Sequence, residues 1–189
     1  MSTRILCLGD SLTYGYGSQR CCCWTRLVQE RTGLTMTNRG VCGDTLSGMR
    51  SRLDGLLGLK PELCIILGGT NDILSGRAPA ERDIATLADA CLSSGVRPVI
   101  ATPTPIDRLN IAPHWTVMTT PHRAAEMLED YVRLLRGFAE EQKLPLIDLY
   151  AALGGADEPS GLFVDGLHLT PRGNELVADA VCALLDKLK

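Results

Sequence analysis

Aromatic side chains are scarce in this sequence: Phe, Trp and Tyr together fill 8 of 189 positions. So few rings give little surface on which nucleic-acid bases could stack. No excess of positive charge makes up for them, because 19 Lys and Arg stand against 22 Asp and Glu for a net charge of -3. A nucleic-acid binder needs clustered cations to replace phosphate counterions, so that class is excluded. Long apolar runs are absent as well. Stretches such as Leu63 to Leu67 fall far short of the roughly 18 residues that a membrane-spanning helix needs. The start does not resemble a secretion signal either, since the short apolar stretch Ile5 to Leu8 runs straight into Gly9-Asp10-Ser11, and a cytoplasmic location is the expectation. Internal repeats, low-complexity tracts and linkers are missing too, which points to a single domain over residues 1–189.

What is present is ordinary for a packed protein. Hydrophobic residues make up 45% and charged residues 22%, which excludes disordered, collagen-like and coiled-coil chains. Eight cysteines stand out, but no two have the C-x-x-C spacing of a thiolate metal grip, and a chain of this length needs no disulfide staples. Reduced, largely buried thiols are expected. The run Cys21-Cys22-Cys23 has no physical account at this level.

Short apolar runs of strand length alternate with amphipathic stretches of helix length. Strands are expected at Arg4 to Leu8, Thr35 to Asn38, Leu63 to Leu67, Pro98 to Ala101 and Pro145 to Asp148. The third is apolar on both faces, as a central parallel strand must be. Between the strands, helical stripes run through Trp24, Leu27, Val28 and Arg31; Leu46, Met49, Leu53 and Leu56; Ile84, Leu87, Ala88 and Cys91; and Met127, Leu128, Tyr131, Leu134, Leu135 and Phe138. The last helix takes Thr170 as N-cap and Pro171 at its first position, then buries Val177, Val181, Leu184 and Leu188. Five strands and five helices in strict alternation predict a doubly wound, three-layer α/β/α sandwich around a five-stranded parallel sheet. One irregular segment, Thr102 to Pro121 with four prolines, follows the fourth strand and should overhang the carboxyl edge of the sheet, where such folds bind ligands.

Candidate chemistry gathers at that edge. Ser11 closes the first strand in Gly9-Asp10-Ser11-Leu12-Thr13, where its hydroxyl and N–H face the ligand side. Asp165 and His168 are separated by two residues just before the last helix, a spacing that lets the carboxylate reach Nδ1–H and leave Nε2 free as a base. A serine hydroxyl is a weak nucleophile without such an oriented base, so the two elements belong together. The turns Asn38 to Thr45 after the second strand and Gly68-Gly69-Thr70-Asn71-Asp72 after the third open at the same edge, where a glycine N–H and the Asn side-chain amide could donate to a developing oxyanion, although turn forming is the commoner role of glycines there. His114 and His122 read as surface or substrate-side residues.

The stretches Gly9 to Leu12, Asn38 to Thr45, Gly69 to Asp72 and Asp165 to His168 resemble, in order and spacing, the blocks of the GDSL esterase/lipase family, also called SGNH hydrolases. The resemblance implies a flavodoxin-like α/β/α sandwich with Ser11 as nucleophile, His168 as general base and Asp165 as its orienting carboxylate. It implies an oxyanion hole of the Ser11 and Gly43 N–H groups and the Asn71 side chain, no metal and no cofactor. Leu169 stands where many members have Pro.

The activity implied is hydrolysis of a small-molecule carboxylic ester, with short acyl or acetyl groups. An acyl thioesterase or lysophospholipase on the same fold is the alternative. His114 and Trp115 are expected to shape the substrate pocket. Two other classes compete. A flavin mononucleotide carrier could stack its ring on Tyr14, Tyr16 or Trp115, and a metallophosphoesterase could use Asp10, Asp72, Asp165 and His168 as ligands. The first leaves Asp165, His168, Asn71 and Gly43 unexplained together, and the second normally draws on more histidines than the three in this chain. A homodimer is compatible with the sequence and not demanded by it.

Overall fold

The computed structural model describes residues 3–155 and 161–188. Five strands, β1 (Arg4–Gly9), β2 (Thr35–Gly40), β3 (Leu63–Leu67), β4 (Arg97–Ala101) and β5 (Leu146–Ile147), form one parallel sheet in the order β2-β1-β3-β4-β5. Around it run α1 (Ser11–Tyr14), α2 (Trp24–Thr32), α3 (Leu46–Leu57), α4 (Thr70–Leu74), α5 (Glu81–Ser93), α6 (Pro121–Glu141), α7 (Leu149–Ala152) and α8 (Pro171–Lys187). The expected α/β/α layering is thus observed.

Strand periodicity of two explains the layers. Ile5 and Cys7 of β1, Ile65 and Leu67 of β3 and Val99 of β4 point to one side, where Trp24 and Val28 of α2 and Val177 and Val181 of α8 cover them. Leu6, Leu8, Cys64, Ile66 and Ile100 point to the other side and meet Leu46, Met49 and Leu53 of α3, Ile84 and Leu87 of α5, and Leu128 and Leu135 of α6. Central strands sandwiched in this way must be apolar on both faces.

The helix stripes differ from expectation only near their ends. In α8 it is Leu185 that is fully buried, with Leu184 and Leu188 partly covered, and in α3 Leu57 replaces Leu56. Arg31 does not join the apolar stripe of α2; it is exposed and pairs with Asp179 of α8 at 2.7 Å. Strand β5 is two residues long rather than four, because Asp148 leaves the ladder to cap α7, accepting from the Ala151 N–H at 3.1 Å. The thiols are all free, but only Cys7, Cys23, Cys64 and Cys91 are buried. Cys21, in a short 3₁₀ turn, and Cys42, in the turn after β2, are exposed, so the expectation of largely buried thiols holds for half of them.

The strand order places a switch point between β1 and β3: from β1 the chain steps outward to β2 and then returns across β1 to β3. Connections leaving the carboxyl ends of β1 and β3 diverge there and open a crevice. Among the described residues, no helix is long and apolar enough to cross a membrane.

Candidate active site

Ser11 sits at that crevice, on the first residue of α1 immediately after β1. The turn is fixed from below by Asp10, whose carboxylate caps the helix by accepting from the Leu12 N–H at 2.9 Å. The hydroxyl of Ser11 lies 2.9 Å from Nε2 of His168, 157 positions away in the chain.

His168 is delivered by a tight turn ahead of α8. Asp165 Oδ1 accepts from the backbone N–H groups of Leu167 at 3.1 Å and His168 at 2.8 Å, folding the carboxylate back over its own turn. Its Oδ2 then lies 2.8 Å from His168 Nδ1. A carboxylate only accepts, so Nδ1 carries the proton and Nε2 presents its lone pair to the serine O–H. Burial raises the pKa of Asp165, but the backbone N–H of His168, the imidazole and the Leu167 N–H outweigh it, and the net shift is downward. The carboxylate is therefore held ionised.

The irregular segment after β4 docks on this turn at the expected sheet edge. Asp107 N–H donates to the Gly166 carbonyl and Ala112 N–H to the Asp165 carbonyl, each at 2.9 Å. Gly166 makes the approach possible. Its φ is +80° and a Cβ there would stand 2.3 Å from the Ile111 backbone. From the same segment, Trp115 turns its indole N–H inward to Asp165 Oδ2 at 2.9 Å, and its ring meets the imidazole edge-on at 4.9 Å. Tyr16 covers the imidazole from another side at 4.4 Å. His114 is exposed and touches the ring of Trp115. His122 pairs with Glu126 on the exposed face of α6.

Opposite these groups stand the oxyanion candidates. Asn71, on the first turn of α4, donates from Nδ2 to the Asp44 carbonyl at 3.0 Å and lies 3.4 Å from Asp10 Oδ2. Among the described residues nothing accepts from the N–H groups of Ser11 or Gly43. Gly69, just before α4, has φ +104°, and a Cβ there would collide with the Tyr131 ring at 2.4 Å.

Beneath the site lies a ring of carboxylates that sequence reasoning assigned no supporting role. Asp72 is fully buried, accepts from the Leu46 N–H at 3.0 Å and pairs with Arg77, tying α4 to the start of α3. Asp44 pairs with Arg52 at 2.7 Å, and Arg52 also reaches the Gly9 carbonyl. Asp10 has no cation of its own, and burial pushes its pKa up to about 7, with the charges of Asp44 and Asp72 adding and the Leu12 N–H opposing. These acids hold loops in place instead of converging: among the described residues no three His, Cys, Asp or Glu side chains are grouped to hold a metal ion.

Comparison with known proteins bears on the fold and the family. The sequence profile of the GDSL-like lipase/acylhydrolase family matches residues 7–176. The esterase TesA of Pseudomonas aeruginosa is 26% identical over 173 residues, spanning 87% of this chain and 78% of TesA. Among solved structures, the aryl esterase of M. smegmatis superposes with a TM-score of 0.84 at 21% identity, covering the whole of both chains. The carbohydrate acetylesterase Est24 of Sinorhizobium meliloti gives 0.83 at 20% identity, again over the whole of both chains. At these identities the two structures speak for the fold. With most of its length matched by the family profile, the chain belongs to the GDSL-like lipase/acylhydrolase family, and its activity is that of a carboxylic ester hydrolase.

Proposed function

We propose that this protein cleaves short-chain acyl or acetyl esters of small molecules through an acyl-enzyme on Ser11. The observation that carries the reading is the continuous relay from Ser11 Oγ to His168 Nε2 at 2.9 Å and from His168 Nδ1 to Asp165 Oδ2 at 2.8 Å. His168 takes the hydroxyl proton as Ser11 attacks the acyl carbonyl, and Asp165 steadies the imidazolium that results. The tetrahedral oxyanion is received by the Ser11 and Gly43 N–H groups and by Asn71, whose amide turns from the Asp44 carbonyl toward the new charge. Collapse breaks the ester bond, and His168 returns the proton to the departing alcohol. Water, deprotonated by the same imidazole, then attacks the acyl-enzyme and releases the acid. Each step uses groups of the chain and water.

The rim supports a small apolar acyl or aryl group. Tyr16 is exposed and lies 4.4 Å from the His168 ring, and exposed Val164 is the chain neighbour of Asp165. The aryl esterase and the carbohydrate acetylesterase that share this fold are in keeping with such a substrate.

Two measurements test the reading. Ser11→Ala should abolish both turnover and covalent labelling by a fluorophosphonate; labelling that persists at another residue means a different nucleophile. A chain-length series of p-nitrophenyl esters, run beside an acetylated sugar panel and an acyl thioester, should show the highest kcat/KM at short acyl groups. A maximum at long chains or at the thioester rejects the substrate class.

A further inference from the structure

We infer that Trp115 is a positioning residue of the reaction, its indole N–H fastening the Asp165 carboxylate against the His168 imidazole. The inference rests on the triad reading above and adds a group from a separate segment of the chain.

Asp165 lies at the rim and its side chain keeps 21% exposure. Two of its four donors, the Leu167 and His168 N–H groups, belong to its own turn and act on Oδ1. They fix the carboxylate to the turn that carries it, not to the rest of the molecule. Oδ2 receives the imidazole and, from 50 positions earlier in the chain, the Trp115 indole at 2.9 Å. Trp115 is the one side chain from a distant segment that holds this carboxylate among the described residues.

The indole is itself held. It ends a short 3₁₀ turn, Pro113–Trp115, whose Trp115 N–H bonds the Ala112 carbonyl at 3.0 Å. Ala112 is in turn bonded to the Asp165 backbone, so anchor and anchored group form one closed loop of contacts. Tyr16 packs edge-on against Trp115 at 6.1 Å and covers His168 at 4.4 Å, which boxes the imidazole between two rings. Such a box limits water at the Asp165–His168 bond and strengthens it.

A residue that merely walled a substrate pocket would need its ring face and not its N–H. Here the only polar atom of the ring is directed inward to the carboxylate. That difference separates positioning from walling, because phenylalanine keeps the apolar ring and loses the donor.

Expected for Trp115→Phe is a roughly tenfold fall in kcat with KM changed less than about twofold, the scale at which partners that orient a catalytic ligand act. A second readout reports the bond directly. The chain has two tryptophans, and the other indole, Trp24, donates to the Leu12 carbonyl in the core. Two indole N–H proton resonances are therefore expected, one of them lost in Trp115→Phe. Asp165→Asn should move the Trp115 proton and leave that of Trp24 in place, which also shows that the fold is retained. Ser11→Ala should leave both where they are. Wild-type kcat in Trp115→Phe, a raised KM with unchanged kcat, or a Trp115 proton indifferent to Asp165→Asn each overturns the inference. Turnover by Ser11→Ala instead rejects the acyl-enzyme reading while the Trp115 resonance still moves with Asp165, so the two failures are distinguishable.

Discussion

At the scale of single residues, the proposed mechanism asks one side chain to act as base and others to donate to an oxyanion, and individual substitutions separate these roles. Asn71 donates from Nδ2 to the Asp44 carbonyl at 3.0 Å and to Asp10 Oδ2 at 3.4 Å, so its amide must turn from one of them to meet an oxyanion. Removing it in Asn71→Ala should lower kcat by roughly 10² to 10³, the usual cost of one oxyanion donor. Near-wild-type hydrolysis by that variant takes Asn71 out of the mechanism. Asp10 permits a different test. Its native pKa is raised to about 7 from about 3.9 in an unfolded chain, so between those values the native state holds a proton that the unfolded state has released. Stability therefore falls as pH rises through this window, by about 4 kcal/mol once Asp10 is ionised. Asp10→Asn keeps an oxygen to cap Leu12 and removes the charge. Its urea midpoint should exceed that of the wild type at pH 8, and the gap should close toward pH 4; a gap independent of pH contradicts the assignment.

At the scale of elements, the segment after β4 is what couples the Asp165 turn to the rest of the molecule, and Gly166 is where the two backbones touch. Gly166→Ala places a methyl group against the Ile111 backbone at a left-handed φ. The segment should lift off the turn, with a larger loss of turnover than of global stability and faster proteolysis at the exposed Leu109 and Met118. Unchanged proteolysis together with full activity means that the docking is incidental. The elements also show how far the sequence could be read. Regular stripes and the two-sided apolar strand β3 were legible because period and burial are local properties of the pattern. Ser11 was legible because it follows a strand and opens a helix, and Asp165 and His168 because they stand in the turn just before the last helix. The two-residue length of β5 was not, since it depends on Asp148 preferring a cap to the ladder. Trp115 was placed in the right segment but read as a pocket wall, because a hydrogen bond spanning 50 positions leaves no periodic trace. The supporting roles of Asp72 and Asp44 were hidden for the same reason, their partners being set by tertiary packing.

At the scale of the whole molecule, the order β2-β1-β3-β4-β5 brings residues 11, 43, 71 and 168 to one edge, so the site exists only when the complete sheet does. Its pH response should likewise be read as that of the molecule, because two groups bear on it. His168 must be neutral to take the serine proton. Asp165, held below the usual carboxylate range, stays ionised and contributes no second proton. On the acid side kcat/KM should accordingly fall about tenfold per pH unit, the slope of a single protonation. Asp10 titrates at about 7 and would mimic that limb if its charge controlled the oxyanion loops. The profile of Asp10→Asn decides between them: with His168 as the base, the acid limb keeps its position and slope when Asp10 can no longer ionise. If the limb vanishes in that variant, Asp10 and not His168 governs the pH dependence, and the general-base assignment fails.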